Sequence, residues 1–174
     1  TYVADRVDIP MILYNVPSRT SIGIAADTYA ILAKHPNING VKEASGDFSL
    51  ISRTLKTCGD DLNIWSGNDD NTLALMAMGG KGVISVFTNI LPKPMAEMCK
   101  LCLEGDFIGA RAIHNKYSNL FHDLFLETNP IPVKTAMNLM GMDAGELRLP
   151  LWEMAPANVE KLKATLTEVG VELK

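Results

Sequence analysis

The sequence predicts an α/β fold in which four strand–helix units form a parallel sheet and a helical region follows. Four short apolar runs, partly β-branched and bounded by Gly, Pro or Asn, are typical of buried strands. Helical patterns separate these runs, and from Pro92 onward only helical patterns continue. Strands that alternate with helices indicate βαβ units, whose strands are parallel.

Each element is predicted from its own pattern. Strands are expected at 11–14, 40–44, 63–66 and 82–87, and helices at 25–34, 48–57 and 70–78. The later helices are expected at 93–104, 107–125, 130–140 and 156–169. Asp106 is a plausible N-cap, and Pro130 and Pro132 lie where the start of a helix tolerates proline.

Four βα units make half of a (β/α)₈ barrel. We therefore expect strands 5 to 8 of a barrel in residues 1–104 and a helical C-terminal domain in residues 105–174. A half barrel exposes two sheet edges, which proteins normally pair or cover. Since the chain also opens at Thr1, in what reads as the tail of a helix, we expect a fragment of a longer protein; a processed N-terminus is the alternative.

Composition narrows the possible partners. The net charge is −4 and lysine and arginine are scattered, which argues against nucleic acid. No apolar run approaches the roughly 20 residues that span a bilayer, and no signal peptide is present, so neither a membrane nor secretion is expected. Three cysteines favour a cytoplasmic location, and the pair Cys99 and Cys102 is expected to pack on a helix rather than bind zinc.

Lys42 is the most informative residue, because it interrupts an apolar strand. Burial inside a barrel would favour its neutral amine, which can attack a ketone carbonyl to form a Schiff base. A surface lysine on an edge strand is the alternative. Tyr14 ends the preceding strand, at the face where barrel active sites lie, and its phenol could pass protons; a tyrosine that only closes the rim is the alternative.

Arg19 lies in the loop that follows Tyr14. The planar guanidinium at the mouth of a barrel would suit a carboxylate, which it can bind with two parallel hydrogen bonds. A solvated loop arginine is the alternative.

Several segments together resemble the dihydrodipicolinate synthase family. Tyr14–Thr20 is similar to the segment that bears its relay tyrosine, and Gly40–Gly46 to the segment that bears its Schiff-base lysine. Three further segments recur in the same order: 66–67, 79–85 and 129–134. The similarity covers nearly the whole chain, including the helical region, which in that family follows the barrel.

The resemblance implies a role for each residue. Lys42 would form the Schiff base with pyruvate, Tyr14 would belong to the proton relay, and Arg19 would bind the carboxylate of L-aspartate-4-semialdehyde. Ile84 would approach the pyruvate carboxylate through its backbone, Gly67 would line the pocket, and Asn129 would contact substrate. The product would be 4-hydroxytetrahydrodipicolinate, in lysine and diaminopimelate synthesis.

The family further implies a homo-oligomer, a dimer or tetramer, that uses no metal and no organic cofactor. Two of its features are absent from this sequence: a Gly-Thr-Thr-Gly-Glu segment early in the barrel, and a second relay tyrosine given by a neighbouring subunit. We therefore expect the isolated chain to have little or no synthase activity. The alternatives are another pyruvate-dependent lyase of the superfamily, such as N-acetylneuraminate lyase or a keto-deoxy sugar acid aldolase, and a half-barrel fragment without catalytic function.

Overall fold

A computed structural model describes all 174 residues of the chain. Its sheet has four strands, in the order in which they occur along the chain: β1 (Met11–Asn15), β2 (Ile38–Glu43), β3 (Asn63–Ser66) and β4 (Gly82–Val83). Every neighbouring pair is parallel, so the predicted parallel sheet is confirmed. β1 and β4 each have a strand on one side only.

The pairing of the strands decides which side chains share a face of the sheet. Tyr14 pairs with Lys42, and Lys42 in turn pairs with Trp65. Asn15 pairs with Glu43, one position further along both strands. Because side chains alternate between the two faces of a sheet, Tyr14, Lys42 and Trp65 project from one face, and Asn15 and Glu43 project from the other.

The fourth strand is shorter than predicted. The pattern predicts a strand throughout 82–87, but pairing ends at Val83 and a 3₁₀ turn begins at Phe87. At Val86 the backbone has already turned helical, with φ −91° and ψ −44°. Its neighbour β3 ends at Ser66, the partner of Val83, so the pairing of the two strands stops at that position.

Besides short 3₁₀ turns, the chain has eight α-helices: α1 (Pro17–Thr20), α2 (Ala26–Leu32), α3 (Phe48–Cys58), α4 (Thr72–Ala77), α5 (Pro92–Glu104), α6 (Phe107–Asp123), α7 (Ile131–Leu139) and α8 (Pro156–Glu168). The sequence predicts seven of them within a few residues. It does not predict α1, because four residues are too few to show a helical period; Pro17 occupies its first turn, where proline is tolerated. No helix is long and apolar enough to cross a membrane.

The chain divides into two compact units, one made of Thr1–Ser85 with Cys102–Gly105, the other of Val86–Leu101 with Asp106–Lys174. The first unit contains the sheet and the helices between its strands. The second contains most of the helical region. The division predicted from the sequence, at residue 104, stays a prediction; the second compact unit already begins at Val86.

The core of the first unit lies between the sheet and its helices. Tyr29 from α2 and Val41 from β2 are fully buried there, and Ile51, Ile64 and Leu75 surround them. Each large side chain removed from water contributes about 1.5–3 kcal/mol. The face of the sheet that carries Glu43 is therefore the face that packs on helices, and the face of Lys42 is the opposite one.

The second unit has its own core and its own buried charge. Phe87 packs edge-on against Phe121, with ring centroids 4.9 Å apart, and both rings are buried. Asp123, at the end of α6, accepts a 2.6 Å hydrogen bond from the hydroxyl of Thr165 in α8. The predicted N-cap of α6 is confirmed, since the Asp106 carboxylate accepts from the amide of Gly109 at 2.9 Å.

Candidate active site

Four of the predicted site residues lie at the same edge of the sheet. Tyr14 and Lys42 are the penultimate residues of β1 and β2. Gly67 follows the last residue of β3, and Ile84 follows the last residue of β4. The carboxyl ends of parallel strands point to one edge, so the structure brings these four residues to the edge where α/β enzymes place their catalytic groups.

The amine of Lys42 lies against the ring of Tyr14. Its Nζ is 4.4 Å from the centroid of the Tyr14 ring, a distance at which an ammonium group is attracted to the face of an aromatic ring. Lys42 is half-buried and Tyr14 is 48 % exposed. The two residues predicted to cooperate are therefore neighbours in space, on an open face of the sheet.

Gly67 lies beside the stem of Lys42. A Cβ placed on Gly67 would be 3.2 Å from Cγ of Lys42 and only 2.6 Å from Cβ of Ala44. The amide of Gly67 donates to the carbonyl of Glu43 at 2.7 Å, which holds the two strand ends together. The absence of a side chain at position 67 thus leaves room for the lysine.

Trp65 lies on β3, on the other side of β2 from Tyr14, and sequence reasoning gave it no role. It pairs with Lys42, and its indole fits over Gly40: a Cβ at position 40 would lie 2.5 Å from Cζ3 of the indole and 2.3 Å from the carbonyl oxygen of Asn63. Gly40 lies two residues before Lys42, on the same face of the sheet. A glycine inside a strand often marks the close approach of a neighbouring group, and this was the signal in the sequence that could have identified Trp65.

Arg19 is held on a compact loop after β1. It belongs to α1, its side chain is exposed, and Ser21 closes the helix in the left-handed region with φ 57°. The hydroxyl of Thr20 donates to the carbonyl of Ile22 at 2.9 Å, and the amide of Ser21 donates to the carbonyl of Pro17 at 2.8 Å. The backbone that carries Arg19 is therefore ordered by bonds within the loop.

One of the two backbone hydrogen-bonding groups of Ile84 is already used. Its amide donates to the carbonyl of Ser66 at 2.9 Å, which extends the β3–β4 ladder by one bond. A ligand contact through this backbone therefore falls to the carbonyl oxygen of Ile84. Its side chain is 38 % exposed.

A buried carboxylate lies on the opposite face from Lys42, and sequence reasoning did not single it out. Glu43 is 4 % exposed and accepts hydrogen bonds from the Asn15 amide at 3.0 Å, the Tyr29 hydroxyl at 2.8 Å and the backbone amide of Ser45 at 2.8 Å. Burial, and then the charge of Glu43, raise the pKa of the Tyr29 phenol far above its ordinary value. Tyr29 therefore remains a hydrogen-bond donor at any physiological pH.

Asn129 belongs to the second compact unit. It precedes α7, and its peptide bond to Pro130 is cis. Its side-chain Oδ1 is buried and has no hydrogen-bond partner within the chain. No group of three histidine, cysteine, aspartate or glutamate side chains in the chain is placed to hold a metal ion.

The chain is similar in sequence to proteins of a known family. The model of the Dihydrodipicolinate synthetase family matches residues 1–169. The chain is 51 % identical over 166 residues to a 4-hydroxy-tetrahydrodipicolinate synthase of Sulfurihydrogenibium sp. (strain YO3AOP1), and 52 % identical over 168 residues to one of Methanospirillum hungatei JF-1. These alignments cover 94 % and 96 % of the chain but 57 % of each relative, so the chain spans less than three fifths of their length.

Solved structures show the same fold. The crystal structure of dihydrodipicolinate synthase from Aquifex aeolicus superposes with a TM-score of 0.96 at 46 % identity, covering 99 % of this chain and 59 % of that one. The synthase from Thermotoga maritima gives a TM-score of 0.94 at 43 % identity, covering 98 % of this chain and 59 % of that one. The four-stranded α/β arrangement of this chain is therefore the arrangement found in part of these proteins.

Proposed function

Because the chain belongs to the Dihydrodipicolinate synthetase family, we propose that it supplies the Schiff-base part of an enzyme that condenses pyruvate with L-aspartate-4-semialdehyde. The product is 4-hydroxytetrahydrodipicolinate, an intermediate of lysine and diaminopimelate synthesis. The observation that carries the proposal is the pair formed by Lys42 and Tyr14 at the carboxyl edge of the sheet, with the amine 4.4 Å from the ring centroid.

Lys42 is the nucleophile. Its neutral amine attacks the ketone carbon of pyruvate to give a carbinolamine, which loses water and becomes an iminium ion. Loss of a proton from the methyl group then gives an enamine, whose carbon adds to the aldehyde carbon of the second substrate and so regenerates the iminium. The amino group of that substrate then attacks the iminium carbon, which closes the ring and releases the amine of Lys42. The iminium itself accepts the electrons, so these steps call on no other electron sink.

Tyr14 passes protons during these steps. Carbinolamine formation needs a proton on the former carbonyl oxygen, and its dehydration needs that oxygen to leave as water. A phenol whose ring touches the amine can serve both, provided that a further group relays the proton onward. Gly67 leaves room for the lysine stem, and Nζ of Lys42 lies 4.4 Å from the centroid of the Tyr14 ring.

The other residues bind substrate in this proposal. Arg19 binds the carboxylate of the semialdehyde from its loop at the edge of the sheet, where an exposed guanidinium can meet an incoming anion. Gly67 lines the pocket, and the backbone of Ile84 lies near the carboxylate region of pyruvate. A substrate contact through Asn129, whose Oδ1 has no hydrogen-bond partner within the chain, stays a prediction.

We further propose that the four strands are strands 5 to 8 of a (β/α)₈ barrel and that residues 105–174 form a helical domain that follows it. Support comes from the two free edges of the sheet, at β1 and β4, and from Ile12, which is 49 % exposed on β1. An open barrel holds neither the threonines nor the second tyrosine of the family. The chain alone therefore has little or no synthase turnover, and the complete protein acts as a homo-oligomer.

The test is reductive trapping. The chain is incubated with pyruvate and sodium borohydride, digested and analysed by mass spectrometry, because reduction converts the iminium into a stable secondary amine. We expect an adduct on Lys42 alone, none in Lys42→Arg, and slower formation in Tyr14→Phe. Adducts spread over several lysines would contradict the proposal. So would a folded chain that forms none even when the first barrel half of a relative is added.

A further inference from the structure

The strongest feature that the proposed chemistry does not use is the buried carboxylate of Glu43. It follows the proposed nucleophile in sequence, yet it projects from the opposite face of the sheet and is 4 % exposed. All three of its partners are hydrogen-bond donors: the amide of Asn15, the hydroxyl of Tyr29 and the backbone N–H of Ser45. The two carboxylate oxygens are acceptors and match these donors, whereas an amide at this position would set its NH₂ group against a donor.

The bonds of Glu43 lead to the loop that carries Arg19. Asn15 donates to Glu43 through Nδ2, at 3.0 Å to each carboxylate oxygen, and accepts from the amide of Ile24 through Oδ1 at 3.1 Å. Ile24 ends the loop and Asn15 begins it, so one side chain joins both ends of residues 16–23. Asn15 is 1 % exposed, which shields these bonds from water.

Glu43 also fixes the elements on either side of that loop. Tyr29 lies in α2, the helix that follows the loop, and is fully buried. Ser45 begins the next loop, after β2, and its amide is fixed by the same carboxylate. One charge therefore holds the end of β1, the loop bearing Arg19, the following helix and the end of the strand that carries Lys42.

We propose that Glu43 is a positioning residue: through Asn15 and Tyr29 its buried charge fixes the loop 16–24 and so places the guanidinium of Arg19. This inference rests on the proposed role of Arg19 as the ligand of a substrate carboxylate. Glu43 touches no substrate, because it faces away from the side of the sheet that Lys42 occupies.

Two variants separate the charge of Glu43 from its shape. Glu43→Gln keeps the size but sets an NH₂ group against the amide of Asn15. The double variant Glu43→Gln with Asn15→Asp moves the negative charge of the network from position 43 to position 15. The glutamine at position 43 would then donate to the aspartate at position 15, and that aspartate can still accept from the amide of Ile24. Asp123→Asn is the matched control, because it neutralises a buried carboxylate in the second compact unit.

The first measurement is amide hydrogen exchange in the full chain, read residue by residue by NMR. In Glu43→Gln we expect the amides of Ile24 and Ser21 to exchange about tenfold faster or more, while the Ile64 amide in β3 changes little. The double variant should restore the slow exchange, and Asp123→Asn should leave it unchanged. Equal acceleration at Ile64 would reveal general destabilisation and overturn the proposal, as would exchange at Ile24 that does not respond to Glu43→Gln.

The second measurement follows the Nε–H resonance of Arg19 while succinate, a four-carbon dicarboxylate, is titrated. We expect Glu43→Gln to weaken succinate binding by about tenfold and the double variant to restore it. Unchanged binding in Glu43→Gln would overturn the proposal. If the wild-type chain binds no succinate at Arg19, the role assigned to Arg19 fails, and the exchange pattern alone decides whether Glu43 positions the loop.

Discussion

Gly67→Ala is the substitution whose effect the structure specifies most closely. A methyl group at position 67 would lie 2.6 Å from Cβ of Ala44 and 3.2 Å from Cγ of Lys42. Non-bonded carbons normally lie about 3.5–4.0 Å apart, so the contact with Ala44 is short by roughly 1 Å. Ala44 has no flexible end that could swing away, so either the strand ends separate or the lysine stem moves.

Two magnitudes follow. Overpacking of this kind typically lowers the free energy of unfolding by about 1–3 kcal/mol. A displacement of roughly 1 Å at a reacting group lowers its rate by about 100-fold. We therefore expect urea unfolding to show the first loss, and the rate of reductive trapping of pyruvate on Lys42 to show the second.

Gly23→Ala is the matched control, because the nearest atom to a new Cβ there is Cγ of Pro17 at an ordinary 3.5 Å. Its free energy of unfolding should change by no more than about 0.5 kcal/mol. If Gly67→Ala proves as stable as Gly23→Ala and traps pyruvate at the wild-type rate, the account of Gly67 as the space reserved for the lysine is wrong.

Three further predictions concern groups with shifted pKa values. Burial alone would raise the pKa of Asp123, but hydrogen bonds from Thr165, His122 and Lys161 outweigh burial and lower this pKa. The ionised Asp123 therefore stabilises the fold above its unfolded pKa of about 3.9, and this contribution disappears as the pH falls through the lowered value. The difference in free energy of unfolding between wild type and Asp123→Asn, measured in urea, should shrink over that pH range. Burial raises the pKa of the Cys58 and Cys102 thiols. At about pH 8, iodoacetamide should therefore alkylate these two cysteines more slowly than it alkylates the free thiol of glutathione, and unfolding in urea should abolish the difference. Burial and the charge of Glu43 raise the pKa of the Tyr29 phenol, so Tyr29 stays a donor to the Glu43 carboxylate, and Tyr29→Phe should lower the free energy of unfolding in urea by about 1–3 kcal/mol because that carboxylate loses a buried donor.

Local patterns in the sequence were enough to place most elements. A strand such as Asn63–Ser66 is a short apolar run between breakers, and its bounds were predicted without error. The proximity of Tyr14 and Lys42 was also predictable, because consecutive strands of βαβ units are neighbours and both residues lie near a strand end. What these predictions needed was the order of the strands, not their exact pairing.

The parts that sequence reasoning missed depend on exact pairing or on what lies beyond an element. Glu43 meets Asn15 only because the two are in register across residues that lie 28 positions apart in the chain. The run after Val83 has the composition of a strand, but the neighbouring strand β3 ends at Ser66, the partner of Val83. The domain boundary stays a prediction. The structure gives the positions of the site residues, but their roles also stay predictions.

The alternation of faces along β2 limits how this part of the gene can evolve. Lys42 and Glu43 lie on opposite faces of the sheet although they are adjacent in sequence. A one-codon deletion within Ile38–Val41 would rotate every later residue of the strand to the other side, sending the amine toward the helices and the carboxylate toward the open face. A substitution in such a segment changes one side chain at a time. A change in the length of the segment instead moves both Lys42 and Glu43 to the opposite faces of the sheet. Insertions and deletions among relatives should therefore be confined to the connecting loops.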